Sequence, residues 1–158
     1  MKLQNLFSAI AVLFALSAAA SAQESAFEAG QSVYVVAVKS SGQPDLSTEH
    51  TLKDEFEKQK AFKVAPSLQS ADFVFLTLVE YEYDLALAGG VGVGNGNIKS
   101  VAAFVVSPDA YAQHKSDLDN LRNNALWQTG ENYSFWRGGS LPKKIVKKFH
   151  ENAAPKKR

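Results

Sequence analysis

Residues 33–60 consist of a continuous apolar run and then a polar segment with helical spacing, which predicts a strand followed by a helix. "VYVVAV", residues 33–38, is a continuous apolar and β-branched run of the kind found in a strand that is covered on both faces. A polar turn follows the run. From Asp45 or Ser47, either of which is a good N-cap, a helical pattern continues to about Lys60.

Four further runs predict the rest of the sheet. "FKVA", residues 62–65, is a short strand. Residues 73–79 are apolar on both alternating faces, and residues 98–106, "IKSVAAFVV", form another largely apolar strand. "ALWQTG" is a last short strand, in which we expect Trp127 to belong to the core.

The remaining segments have helical patterns. Residues 108–124 are polar and mostly compatible with helix, whereas "LPKKIVKKFHEN" carries an apolar stripe formed by Leu141, Ile145 and Phe149 with Val146 beside it. The predicted order of main elements is therefore β-α-β-β-β-β-α. This order indicates an α/β (α+β) fold with a single mixed sheet of about four to five strands and two main helices packed on it.

The glycines of "AGGVGVGNGN", residues 88–97, raise the question of a nucleotide site. Neither the G-x-G-x-x-G turn from strand to helix nor a Walker loop is present. Asn95 and Gly96 instead offer the residues that a type I′ turn needs. We therefore predict a Gly-rich β-hairpin, and a turn at that dipeptide would place Leu87 opposite Phe104.

The beginning of the chain has the pattern of a secretory signal. A basic residue at Lys2, an apolar run over residues 6–16 and an A-x-A tripeptide at residues 20–22 predict export to the periplasm or the medium, with cleavage near Ala22. The apolar run is shorter than the roughly 20 residues that a membrane span needs, so we expect no span in the mature protein.

Subtracting 22 signal residues from 158 leaves 136, which is the size of one domain. We expect residues 23–30 to be a flexible lead, residues 31–152 to form a single α/β domain, and residues 153–158 to be a flexible tail. Removing Lys2 from the 17 basic residues leaves 16, which equals the 16 acidic ones. A near-neutral chain indicates neither a nucleic-acid partner nor an electrostatic membrane anchor.

The side chains that carry chemistry show no catalytic or metal-binding pattern. The chain has no cysteine, and no nucleophile elbow is present. His50, His114 and His150 lie in polar sequence without an H-E-x-x-H arrangement, so we expect all three to be solvated. Acidic residues that alternate from Glu80 onward are typical of a solvated strand end. We therefore expect a non-enzymatic protein with no cofactor and no metal.

Aromatic residues and bare glycines are the best candidates for binding. "ENYSFWRGGS" is an aromatic loop, and two tyrosines lie where the strand of residues 73–79 leaves the core. Alternate glycines of the hairpin would let another backbone approach closely. The candidate interaction surface comprises Tyr133, Phe135 and Trp136 of the loop, Tyr81 and Tyr83 of the strand end, and Gly92 and Gly94 of the hairpin.

"ADFVFLTLVEYEYD", followed by a hairpin, "ALWQTG" and a closing amphipathic helix, resembles the small α/β domain at the amino terminus of TolB and in the curli secretion lipoprotein CsgG. It resembles still more closely exported bacterial proteins built from this domain alone. The resemblance covers about residues 31–152 and brings no catalytic residue. It implies a periplasmic or secreted binding domain whose partner is another envelope protein, or which self-associates, through sheet edges and loops. Two alternatives stay open: a small-molecule or cell-wall-binding module that uses the aromatic loop, and a hydrolase with an unrecognised site.

Overall fold

A computed structural model describes residues 27–82, 97–132 and 140–153. These residues form one five-stranded sheet and four α-helices, with a single 3-10 turn at Leu68–Ser70. The elements in chain order are β1 (Ser32–Lys39), α1 (Leu46–Gln59), β2 (Lys63–Val64), β3 (Phe73–Glu82), β4 (Asn97–Val106), α2 (Pro108–His114), α3 (Leu118–Asn123), β5 (Trp127–Asn132) and α4 (Leu141–Asn152).

The sheet is mixed, with the strand order β2-β1-β3-β4-β5. β1 is parallel to both of its neighbours, whereas β4 is antiparallel to β3 and to β5. This arrangement confirms the predicted α+β class, the number of strands and the order of the main elements. No helix in the described part of the chain is both long enough and apolar enough to cross a bilayer.

The larger hydrophobic core lies on the face of the sheet that α1 and α4 cover, which we call the inner face. Aromatic rings fill its centre: Phe75 of β3 lies 5.0 Å from Phe56 of α1 and 5.4 Å from Phe149 of α4, between ring centroids. Trp127 of β5 adds an edge contact, 5.0 Å from the ring of Phe149. The structure thereby confirms the predicted apolar stripe of α4, because Leu141, Ile145, Val146 and Phe149 are all buried.

A second, smaller core lies on the opposite face, which we call the outer face. There Val74, Leu76 and Val106 pack under α2 and α3, with Leu121 of α3 fully buried among them. Each short helix begins at a side-chain cap: Ser107 Oγ accepts from the backbone N–H of Ala110, and Asp117 caps α3 in the same way. Apolar residues of β1 and β3 therefore face a core on both sides of the sheet.

The pairing of β3 with β4 corrects the register that the sequence predicts. The two strands are antiparallel neighbours, as a hairpin requires, but Phe104 lies opposite Leu76 rather than opposite Leu87. Residues 83–96, with the expected turn, lie outside the described residues. The apolar runs of the two strands explain the observed register, since pairing Phe75 with Val105 buries both side chains. The free energy of that burial outweighs the preference of the Asn95-Gly96 dipeptide for a turn.

Two residues outside the predicted domain, Phe27 and Ala153, pack against its core. Phe27, in the segment predicted to be a flexible lead, is buried with its ring 5.0 Å from Phe73 and 5.3 Å from Phe149. Ala153, predicted to begin the flexible tail, is buried beside the same cluster. A single apolar residue in a polar segment shows no period, and its contacts are distant in sequence, so the sequence pattern did not reveal either of them.

Candidate interaction surface

Of the seven residues predicted to form an interaction surface, the structure describes Tyr81 alone. This residue follows an irregularity between Glu80 and Tyr81 in the pairing of β3 with β4. Its ring packs against the inner core, its hydroxyl donates to Oδ2 of Asp45, and the ammonium of Lys39 lies 5.8 Å from the ring centroid. Its described contacts are therefore internal. The other six, Tyr83, Gly92, Gly94, Tyr133, Phe135 and Trp136, lie outside the described residues.

The side chain of Asp45 accepts three hydrogen bonds near the carboxyl end of β1. It is only 3% exposed and occupies the N-cap of α1. Its Oδ1 accepts from the backbone N–H of Thr48 at 3.2 Å, and its Oδ2 accepts from the Thr48 hydroxyl at 2.9 Å as well as from Tyr81. Because the carboxylate accepts three donors of the protein itself, this cluster fixes the start of α1 to β3 and leaves little of the carboxylate for a ligand.

Glu80 occupies the rim of the sheet beyond the core. Its two carboxylate oxygens accept from Lys99 Nζ and from Ser100 Oγ, each at 2.9 Å. The hydrogen bond from Lys99 is the main reason that the pKa of Glu80 lies below its ordinary value. Across the described ranges, no three His, Cys, Asp or Glu side chains are grouped so that they could hold a metal ion.

Four small or apolar residues cross the outer face in one line next to this rim. Val38, Leu78, Ala102 and Gly130 are successive partners in the register of β1, β3, β4 and β5. We call this line the outer row. Its first three side chains are half-buried, and Gly130 is exposed. A Cβ placed on Gly130 would meet one atom within 4 Å among the described residues, the carbonyl oxygen of Val101 at 3.9 Å.

Within the described residues, Leu78 and Ala102 stay half-buried because α2 and α3 pack elsewhere on the same face. The two short helices cover the lines of Val74 and Leu76, nearer the amino end of β3. Leu78 and Ala102 belong to neither buried cluster of the described residues. Central strands of a sheet normally bury both faces when both are apolar, so this half-covered line is a candidate interaction surface among the described residues.

The scarcity of apolar residues in the segment between β4 and β5 is a sequence signal for the outer row. The segment of residues 108–124 has only three large apolar anchors, Tyr111, Leu118 and Leu121. Three anchors cannot cover the outward-facing positions of three apolar strands. This shortage indicates that part of the outer face stays incompletely covered, but the strand register is needed to show which part.

His150 departs from the prediction that all three histidines are solvated. It lies between α4 and α1, with its ring centroid 5.6 Å from that of Phe56 and 5.3 Å from that of Phe62. Its Nε2 atom is buried and has no hydrogen-bond partner among the described residues. Burial lowers the pKa of His150, and the charge of Glu55 opposes that shift. Its polar neighbours in sequence concealed this position, which is set by the packing of the two helices.

No family model matches the chain, and no curated protein matches it. Among solved structures, the chain is similar to two structures of the PelC dodecamer from Paraburkholderia phytofirmans. One is of a variant with a single substitution, and the two are in different crystal forms. Each match has a TM-score of 0.47 at 20% identity, and covers 82% or 83% of this chain and 93% of the PelC chain. A similarity of this size carries no argument about function.

Proposed function

We propose that this protein is a non-enzymatic domain exported to the bacterial cell envelope, where it acts by binding another envelope protein. The observation that supports the proposal is the outer row. A line of half-exposed apolar side chains across the centre of a sheet gains free energy when a partner covers it, at about 25 cal/mol per Å² of apolar surface. The partner expected from this chemistry presents an apolar and uncharged strand or helix.

The charges beside the outer row support an uncharged partner. Glu80, which borders the row, is already paired with Lys99 and Ser100 of the protein itself. At Glu80, a partner therefore meets a charge that the protein itself already compensates. We expect binding that depends weakly on ionic strength, because screening acts on unpaired surface charges and not on apolar contact.

The arrangement of polar groups supports a role without catalysis. The buried carboxylate of Asp45 is occupied by the cap of α1 and by Tyr81. The ring of His150 packs against the rings of Phe56 and Phe62. Within the described residues, the hydroxyls beside Asp45 hold the start of α1 against β3, and Nε2 of His150 has no hydrogen-bond partner that could relay a proton.

Export is supported by the sequence of residues 1–22 and by the resemblance to the amino-terminal domain of TolB. If the signal is cleaved after Ala22, the exported protein begins at Gln23 or at the pyroglutamate formed from it. Intact-mass measurement of the protein recovered from the periplasm or medium tests this step. Retention of residues 1–22 in that protein would contradict it.

The binding proposal is tested by substituting one residue of the outer row. Leu78→Lys places a charge in the apolar line, whereas Lys143→Glu changes the charge of an exposed position on α4. We expect the parent and Lys143→Glu to retain one envelope protein after cross-linking, and Leu78→Lys to lose it. Binding is then measured between the two purified proteins at low and high salt.

The outcomes separate the proposed function from its alternatives. Loss of affinity in Leu78→Lys alone, with a weak salt effect, is the expected result. Equal affinity for both variants would contradict a role for the outer row. Recovery with cell-wall fragments or small ligands, and with no protein, would instead support the module built on the aromatic loop of residues 133–136.

A further inference from the structure

The two edges of the sheet differ in a way that concerns association. One edge is β2, which is two residues long. The other is β5, which is six residues long and contains no proline. Within residues 27–82, 97–132 and 140–153, no strand pairs with the outer edge of β5. Proteins that remain monomeric commonly shorten or distort their edge strands, as at β2, because a long regular edge is a template for another strand.

We propose that β5 pairs with β5 of a second copy of this chain, antiparallel and across a twofold axis, so that one sheet continues through both copies. This proposal stands apart from binding at the outer row, since it concerns the backbone edge of the sheet. A twofold axis perpendicular to the sheet keeps the same face upward in both copies. Residues that lie opposite each other then share a face, as they do in any antiparallel pair.

The side chains of β5 favour a twofold axis at Gly130. In that register Gln128 lies opposite Asn132 on the outer face, where two amides can exchange hydrogen bonds, and Thr129 lies opposite Glu131 on the inner face. An axis at Glu131 would place two carboxylates opposite each other. An axis at Thr129 would place Trp127 opposite Glu131.

The charge and space around β5 fit the same register. Glu131, the one charged residue of the strand, accepts from Lys148 of α4 at 2.8 Å, so its charge is compensated within one copy. Gly130 has no side chain, so the two residues that meet at the axis bring no side-chain clash between the copies. The edge is therefore neutral and self-complementary, which favours a second copy over a charged partner.

Paired substitutions at the two outer-face positions test the proposal. Gln128 and Asn132 are both exposed, so we expect the fold to tolerate charge at either position. Circular dichroism and thermal unfolding check this for each variant. Gln128→Lys with Asn132→Lys places like charges opposite each other twice in the proposed dimer. Gln128→Lys with Asn132→Glu places opposite charges there instead, on the same two positions. Sedimentation velocity over a concentration series gives the mass of each purified variant and of the parent.

We expect the parent to reach twice the mass of the monomer as its concentration rises. The double-lysine variant should dimerise about tenfold more weakly than the parent, because each of its two cross-strand pairs of like charge costs roughly 0.2–1 kcal/mol. The lysine-glutamate variant should dimerise at least as tightly as the parent, because its two pairs are of opposite charge. A parent that stays monomeric overturns the proposal, and so does a dimer that both variants leave unchanged. Neither result bears on the binding of an envelope protein at the outer row, which the Leu78→Lys variant tests by itself.

Discussion

The inner and outer faces of the sheet are built from the same strands and are closed to different extents. Helices of 14 and 12 residues cover the inner face, whereas helices of seven and six residues cover the outer one. At 1.5 Å per residue the longer helices span about 20 Å and the shorter ones about 10 Å. Among the described residues, the short helices therefore close one part of the outer face and leave Leu78 and Ala102 half-buried. Helix length, rather than strand composition, decides where this domain keeps an apolar surface.

The largest expected effect comes from removing an aromatic ring of the inner core. Phe149→Ala should lower the free energy of unfolding by about 3–5 kcal/mol, because the ring is fully buried among other aromatic side chains. Lys143→Ala, on the exposed side of the same helix, should change it by less than about 0.5 kcal/mol. Urea unfolding measures both, and equal losses would mean that α4 is packed by another face.

Substitutions of two leucines of β3 allow a direct comparison of the covered and half-covered parts of the outer face. Leu76 is 2% exposed under α2 and α3, and Leu78 lies two residues further along the same face. Leu76→Ala should cost about 2–5 kcal/mol, through lost burial and the cavity that remains. Leu78→Ala should cost about 1 kcal/mol or less, since solvent already reaches this side chain. A loss at Leu78 as large as that at Leu76, in the same urea titration, would show that the outer row is closed.

Substitutions of two aspartate N-caps allow a comparison of a buried polar cluster with an exposed one. Asp45→Ala removes the cap of α1 and leaves the hydroxyls of Thr48 and Tyr81 without their acceptor, so we expect a loss of about 1–3 kcal/mol. Asp117→Ala removes only the exposed cap of α3 and should cost less. Thermal unfolding of the two variants ranks them, and the reverse order would contradict a structural role for the cluster at Asp45.

The smallest expected effect is a dependence of stability on pH that arises from His150. Its pKa in the folded protein lies below the ordinary value of 6.5, so the unfolded chain binds the proton more tightly. Stability is therefore complete above about pH 6.5 and is lost as the pH falls from there to the lower pKa of the folded state. His150→Phe should reduce this loss, whereas His50→Gln, at an exposed position of α1, should leave it in place. The test is to measure the unfolding midpoint of each variant from pH 7.5 to pH 5. Identical pH profiles for the parent and His150→Phe would contradict the assignment of this pH dependence to His150.

Much of the fold could be predicted from the sequence because its signals are local. The apolar run of residues 33–38 and the i+4 stripe of α4 each specify an element and its buried face within a few residues. The register of β3 with β4 could not be predicted in this way. It depends on aligning two apolar runs across 14 intervening residues, 83–96, and a strong turn dipeptide within them suggested another alignment.

The features of the surface were harder to predict because they arise from contacts distant in sequence. Phe27 and His150 each lie in polar sequence and acquire their burial from the helices and strands that surround them. The outer row is visible only when the strands are placed side by side, since Leu78 and Ala102 are ordinary members of apolar runs. A sequence pattern shows which positions are apolar, but not which of them a helix of limited length will reach.

The most direct measurement is photo-cross-linking in living cells from a photoreactive residue at position Ala102, in the middle of the outer row. We predict one cross-linked product with another envelope protein, and none from the same residue placed at Lys143 on the exposed side of α4. Absence of a product at Ala102, or equal products from both positions, would contradict the claim that the open part of the outer face is where this protein binds its partner.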